Sequence, residues 1–303
     1  MKSFILKYLF PFVSFVLKLL PNYQDLVFKY CSIGKSKNYK GILGRLIRKS
    51  FNQDYWKLKI GERLDLQTRL MGNTNGVDWA IYYQSEIEDE FPPPRGTKTI
   101  GKLDFHDTLP SYERINKYLT DTEDCCTVIQ LGASSGKDIA YFSKNHPRHK
   151  FYYTDIFDSV VEYASKVHNY SNLHFLTASA ENLHLIASAT QDNSVLLFSM
   201  GSSQYVFPEY LDQMFLQLSK IKDKKIVVHV EEPANVLEVD PLTFKGSIPR
   251  INFSYTHNYS YYAVKNNFKV LDWEKISPYV PEHKYPMHLG TVQLSGTFVK
   301  DRN

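Results

Sequence analysis

The chain has 303 residues, 43% of them apolar and 22% charged, which excludes a disordered polymer and leaves room for one large domain or a core with an extension. Its three cysteines, Cys31 and the adjacent Cys125 and Cys126, exclude a disulfide framework, show no zinc spacing and fit a reducing, cytoplasmic setting. Net charge is +4, but residues 1–50 hold ten Lys/Arg against the single acid Asp25, so a basic arm of +9 precedes a body of −5, which excludes a uniformly basic nucleic-acid binder.

The arm begins MKSFILKYLFPFVSFVLKLL. Its longest uncharged run, 8–17, has ten residues, about half of what a spanning helix needs. Lys7, Pro11 and Lys18 interrupt the pattern, and Leu19-Leu20-Pro21-Asn22-Tyr23 is no signal-peptidase site. Neither a span nor a cleaved signal is expected. Three readings stay open: a helix lying in a membrane surface at the inner face, a docking or oligomerisation helix, and a segment packed on the core. Lys29, Lys35, Lys37, Lys40, Arg45, Arg48 and Lys49 favour the membrane surface, at roughly 1 kcal/mol for each basic residue near an anionic leaflet.

Residues 51–104 read as a charged extension with a helix over 62–71, broken by Pro92-Pro93-Pro94 and Gly96. The catalytic domain is expected over 105–303. It opens with a helix over 109–120. Strands are expected over 127–133, 151–156, 173–177, 194–200 and 225–230, and helices over 137–145, 158–168, 181–189 and 208–220. A helix over 256–267 and two strands, 268–273 and 291–299, close the chain, the strands being placed to pair antiparallel. This alternation predicts an α/β fold: a seven-stranded, mostly parallel, doubly wound sheet with a helical basic N-terminal extension.

The first strand runs into Gln130-Leu131-Gly132-Ala133-Ser134-Ser135-Gly136, a turn that lets a ligand approach the backbone. The second ends at Asp155, 23 residues after Gly132, where a carboxylate can hold ribose hydroxyls; the same residue also suits a helix N-cap. The Gly132-Ala-Ser-Ser-Gly136 turn lacks the third glycine of a nicotinamide fingerprint.

On these residues the chain resembles the class I S-adenosylmethionine (SAM)-dependent methyltransferases over about 105–303. The likeness extends to Ala178-Ser-Ala-Glu181-Asn182 after the third strand and Met200-Gly-Ser-Ser after the fourth. It implies that Gly132, Ala133, Ser134 and Gly136 border the methionine end of SAM and that Asp155 holds its ribose. It places Ile156, Ala180 and Glu181 at the adenine, and Met200 and Gly201 beneath the reacting methyl. Two positions depart from the family. Gln130 stands where an acid usually precedes the first glycine, and Ser134 replaces the middle glycine. A glutamine cannot balance the cofactor's ammonium, which leaves Asp104 or Asp107 for that part.

Methyl transfer from a sulfonium is an in-line displacement, so positioning dominates, and a hydroxyl acceptor also needs a base. The fifth strand ends His229-Val-Glu231-Glu232-Pro233, with His229 and Glu231 on one face and Glu232 on the other. His257, in a polar aromatic cluster from Phe253 to Tyr259, is the best single base by its near-neutral titration. Each also has a plain reading, as a salt-bridge partner or a helix cap. The runs Gly201-Ser-Ser-Gln204-Tyr205-Val206 and Thr256-His257-Asn258-Tyr259 are similar, more weakly, to a group of sugar O-methyltransferases of bacterial polysaccharide gene clusters. That implies a sugar or glycan acceptor, lipid-linked in some cases, consistent with an arm on the inner membrane face. Metal-independent transfer is expected. A nucleic-acid substrate is disfavoured by the acidic body. Methylation of a lipid or small metabolite, and a non-catalytic protein on a degenerate fold, stay open as alternatives, as does the oligomeric state.

Overall fold

The computed structural model describes residues 14–21, 23, 26, 47, 50, 110–235, 240–249, 254–276 and 291–302. The extension 51–104, with its expected helix and proline break, lies outside the described residues, as do Asp104, Asp107 and most of the arm. The chain divides into two compact units, residues 1–79 with 249–254, and residues 80–248 with 255–303.

In the first unit, residues 14–18 are helical. Ser14 and Leu17 are buried three residues apart, while Phe15, Val16, Leu19 and Leu20 are exposed. The Ser14 and Ser50 hydroxyls share a 2.5 Å hydrogen bond. Among the described residues no helix is long and apolar enough to cross a membrane.

Among the described residues of the second unit the first element is α1 (Pro110–Asp121). There follow β1 (Cys126–Leu131), α2 (Lys137–Asn145), β2 (Lys150–Asp155), α3 (Asp158–Val167) and β3 (Leu173–Thr177). A 3-10 turn (Ala180–Asn182) leads into α4 (Leu183–Ala189), then β4 (Ser194–Met200), a second 3-10 turn (Ser203–Tyr205) and α5 (Pro208–Ser219). Then come β5 (Lys225–Asn235), β6 (Ser247–Pro249), β7 (Tyr255–His257), α6 (Tyr259–Lys265), β8 (Lys269–Ile276) and β9 (Thr291–Lys300).

Seven strands form one sheet in the order β3-β2-β1-β4-β5-β9-β8. β1 to β5 are parallel, while β9 is antiparallel to both β5 and β8. The expected seven-stranded doubly wound sheet and its closing antiparallel pair are both present. β1 and β4 are buried along their length because helices cover both faces. Their side chains alternate between two cores. Ile129, Leu131, Val195 and Leu197 join Leu211, Phe215 and Tyr262 on one face. Val128, Leu196 and Phe198 join Tyr112, Ile139 and Phe142 on the other. The register turns at β1, whose neighbours are β2 on one side and β4 on the other. The chain therefore reverses direction across the sheet there, and in open α/β sheets ligands bind at the strands' C-terminal ends beside such a point.

Most boundaries shift by one to three residues, as at β8, which runs to Ile276; the larger differences are at β5 and α6. β5 continues to Asn235 instead of stopping at Val230, because β9 pairs with it along the whole length. The expected helix over 256–267 is α6 alone, Tyr259–Lys265. Tyr255–His257 before it is a strand paired with β6, and Asn258 caps α6 by accepting the Tyr261 N–H at 3.1 Å. Aromatic and β-branched side chains at 255–257 favour the extended form.

Candidate functional site

The turn after β1 is held on every side. Gly132 and Gly136 take left-handed backbone angles, φ +64° and +78°, and Ser134 between them does the same at +50°. Each carbonyl of the turn already accepts a hydrogen bond. The Ser202 hydroxyl donates to Gly132 O at 2.6 Å, and the Tyr153 hydroxyl to Ser134 O at 2.6 Å. His168 Nε2 donates to Ser135 O at 2.8 Å. The Gly136 and Ala140 N–H groups donate to Ala133 O and Gly136 O, both at 2.9 Å. Ala133 N–H donates to Thr154 O of β2 at 2.9 Å. Such a turn is preorganised, so a ligand would not have to order it.

Gly132 leaves no space for a side chain: an added Cβ would fall 2.6 Å from Ser202 Cβ. This glycine lets the β1 turn and the β4 loop touch. At Gly136 an added Cβ would approach the His168 ring to 3.0 Å and the Tyr153 ring to 3.2 Å.

Beneath the turn, Gln130 is buried and both ends of its carboxamide are engaged. Its Oε1 accepts the Ile139 N–H at 3.1 Å, and its Nε2 donates to Asp138 Oδ2 at 3.3 Å. The Tyr112 hydroxyl of α1 donates to the other oxygen of Asp138.

Asp155, at the end of β2, faces the turn. Its Oδ2 accepts the Ser134 N–H at 3.1 Å and its Oδ1 the Phe157 N–H at 3.2 Å. Burial pushes its carboxyl up from the ordinary value, against the pull of the Phe157, Ser134 and Ile156 amides. Acceptor capacity remains on the carboxylate for a ribose hydroxyl. Ile156, next in the chain, is 46% exposed and offers an apolar platform beside it. Ala178 N–H donates to Asp155 O at 2.9 Å, bringing the post-β3 segment with buried Ala180 and half-buried Glu181 alongside. Met200 ends β4 and Gly201 follows it, on the other side of β1 from β2 and Asp155. The ten residues that the resemblance places at the cofactor, with Gln130 as an eleventh candidate beneath the turn, thus sit at one edge, the C-terminal ends of β1 to β4. The donor set fits SAM: a carboxylate for a diol, an apolar face for a purine, and a glycine turn with no room for side chains.

The acceptor-side candidates divide into two groups. Glu232 is buried and its Oε1 accepts four donors. These are the hydroxyls of Ser199 (2.6 Å) and Ser203 (2.7 Å) and the N–H groups of Ser202 (3.1 Å) and Ser203 (2.9 Å). This carboxylate builds the β4 loop. Burial raises its titration, opposed by these hydrogen bonds. Ser203 Oγ meets Tyr259 OH at 2.8 Å, and the Tyr259 ring packs edge-on against His257 with centroids 5.3 Å apart. His257 is buried, stacks on Tyr255, and its Nδ1 lies 2.5 Å from Ser247 Oγ.

On the opposite face, as the alternation predicts, His229 and Glu231 join through α1. The Ser111 hydroxyl donates to Glu231 Oε2, so His229 Nε2 donates to Ser111 Oγ at 2.7 Å and Nδ1 accepts from Thr297 Oγ1 at 3.0 Å. The ring is neutral: burial, with Arg114 nearby, pushes it down to about 3. Among the described residues no group of three His, Cys, Asp or Glu is gathered to hold a metal ion.

Sequence reasoning missed Tyr153, His168, Ser202, Tyr112 and Asp138. Only Tyr153 carried a signal, sharing the face of β2 with Asp155 two residues on.

No protein-family model matches the chain, and no curated protein matches it in sequence. Solved structures resemble it in fold. A SAM-dependent methyltransferase from Aquifex aeolicus is 14% identical, covers 61% of this chain and 88% of its own, and has a TM-score of 0.40. An S-adenosylmethionine-dependent methyltransferase from Mesorhizobium loti is 12% identical, with coverages of 64% and 100% and a TM-score of 0.44. The [4+2]-cyclase SpnF is 11% identical, with coverages of 63% and 82% and a TM-score of 0.47. At these values the architecture rests on this chain's own strand order.

Proposed function

We propose that the chain is a SAM-dependent methyltransferase that transfers a methyl group to a hydroxyl of a sugar or glycan. One observation carries the cofactor half. The left-handed Gly132–Gly136 turn and the Asp155 carboxylate adjoin at the C-terminal ends of β1 and β2, beside the point where the sheet order reverses. When bound, SAM would supply the electrophilic methyl. The chain's own residues would hold the ribose at Asp155, seat the purine on Ile156 and keep the β4 loop in place through Glu232. The sugar reading draws on the likeness of Gly201–Val206 and Thr256–Tyr259 to sugar O-methyltransferases; Tyr255, His257, Tyr259 and Ser203 are themselves buried behind that loop and shape it from below.

Titration calorimetry of the full chain with SAM and S-adenosylhomocysteine is the test: binding of neither refutes the reading. Transfer of labelled methyl to a panel of glycans, lipids and small metabolites then separates the acceptor classes.

The exposed Phe15, Val16, Leu19 and Leu20, on an arm of net charge +9, support contact with an anionic membrane surface. The full chain is expected to float with anionic vesicles and Phe15→Glu/Leu19→Glu to stay behind. Equal flotation of both would remove this part.

A further inference from the structure

The turn after β1 presents a problem of charge. If it receives the methionine end of SAM, an α-ammonium arrives there and needs a negative partner. All five carbonyls from Gly132 to Gly136 are neutral and already accept a donor. Gln130 is neutral too, and both ends of its carboxamide are engaged. Among the described residues, the carboxylates bonded to this turn or to Gln130 beneath it are Asp155 and Asp138. Asp155 belongs to the ribose end.

Among the described residues, which do not include Asp104 and Asp107, Asp138 is left, and its carboxylate is held from two sides. It lies in the first turn of α2, two residues past Gly136, and is half-buried. Buried Tyr112 donates to one of its oxygens and buried Gln130 to the other. Both donors are neutral, so they orient the carboxylate without cancelling its charge. Among the described residues no Lys, Arg or His forms an ion pair with it. An aspartate that served only the helix dipole would need no such clamp from β1 and α1. A carboxylate has about four acceptor positions, and these two donors leave the others open.

We propose that Asp138, clamped between Gln130 and Tyr112, is the counter-charge that binds the α-ammonium of the cofactor. The proposal rests on the SAM reading above. Gln130 is then a positioning residue: a carboxamide there both fixes the Ile139 N–H and aims the carboxylate of Asp138.

The test compares two ligands by calorimetry on the full chain. S-adenosylhomocysteine carries the ammonium, whereas 5′-methylthioadenosine keeps the nucleoside and thioether without the amino acid. Asp138→Asn is expected to weaken S-adenosylhomocysteine about 10- to 100-fold, the range for losing a hydrogen bond to a charged group, and to leave methylthioadenosine within about twofold. Retained methylthioadenosine binding shows that the variant is folded. Tyr112→Phe, which keeps the charge and loosens its clamp, is expected to shift the same ratio in the same direction by a smaller factor. If Asp138→Asn changes both ligands equally, or neither, the proposal fails while the SAM reading stands. If the wild-type chain binds neither ligand, both fail together.

Discussion

Gly132→Ala offers a quantitative test of how the β1 turn and the β4 loop meet. At φ +64° an alanine sits in the left-handed region, at a cost of about 1–2 kcal/mol. Its methyl would lie 2.6 Å from Ser202 Cβ and 3.0 Å from Ser202 Oγ. The nearer atom is bound directly to the backbone, so no rotamer change clears it. Ser202 itself is tied at both ends, its hydroxyl to Gly132 O and its N–H to Glu232. Overpacking of this kind adds about 1–3 kcal/mol, and the stiffer unfolded chain returns about 0.4–1 kcal/mol. The net loss is about 1–4.5 kcal/mol. It should appear in urea as a lower midpoint with an unchanged slope, together with weakened S-adenosylhomocysteine binding. A double variant, Gly132→Ala/Ser202→Gly, removes the clashing atom and should recover the overpacking part while keeping the backbone part. Wild-type stability and affinity in the single variant would refute the close approach. Ser134→Gly is the control at φ +50°: relief of left-handed strain and added unfolded-state freedom oppose each other, so stability should move by less than about 1 kcal/mol.

Three further outcomes are expected. Asp155→Ala should weaken S-adenosylhomocysteine and methylthioadenosine alike by about 10- to 100-fold, because both carry the ribose; calorimetry distinguishes this from the selective loss at Asp138. Glu232→Ala leaves the buried Ser199 and Ser203 hydroxyls and two N–H groups without their acceptor and should cost about 3–5 kcal/mol by chemical denaturation. Glu232 also titrates above the ordinary glutamate value when folded, so its share of stability grows as pH falls through the folded value toward 4.5; Glu232→Gln should flatten that rise. His229 has the opposite sign. Folded, it is pushed down to about 3 by burial and by Arg114; unfolded, it titrates near 6.5. Above 6.5 both states are neutral. As pH falls from there toward 3 only the unfolded state takes the proton, and roughly 5 kcal/mol of stability is lost. Melting curves of His229→Gln across that window should lose this acid limb, and an unchanged limb would refute the assignment.

The strands that could be read without coordinates are those whose environment is simple. β3 and β4 begin and end where their apolar runs do, and α2 starts at the residue after Gly136. β5 was harder to read because Glu231-Glu232-Pro233 looks like an ending. The structure explains why it continues. β4 stops opposite Glu231, at Met200, and beyond that point β5 has only β9 as a partner. Proline tolerates such a half-free edge, so Pro233 need not interrupt the sheet. Thr256 and His257 of β7 read as helix because three residues are too few for a two-residue period to show against the α6 pattern behind it.

The same contrast holds within the site. Gly132, Gly136 and Asp155 were legible since a tight turn and an acid at fixed spacing leave a pattern along the chain. The contacts of Ser202 and His168 with the turn left none, because these residues reach it from 70 and 33 residues away. Gln130 is the instructive case. Read as a motif, it is a lost acid and weakens the cofactor assignment. Read as geometry, its Nε2 is turned toward a carboxylate eight residues on, from the next element of the fold. Under the proposal for Asp138, the negative charge at this edge has moved from the end of β1 to the start of α2 instead of disappearing. That makes a specific prediction about Gln130→Glu. A second carboxylate beside Asp138 must either take up a proton or repel its neighbour, so restoring the family's usual acid should lower the stability of this chain and raise the pH at which S-adenosylhomocysteine binding reaches its plateau. A Gln130→Glu variant that binds more tightly at neutral pH, with unchanged stability, would show that the charge had been missing after all.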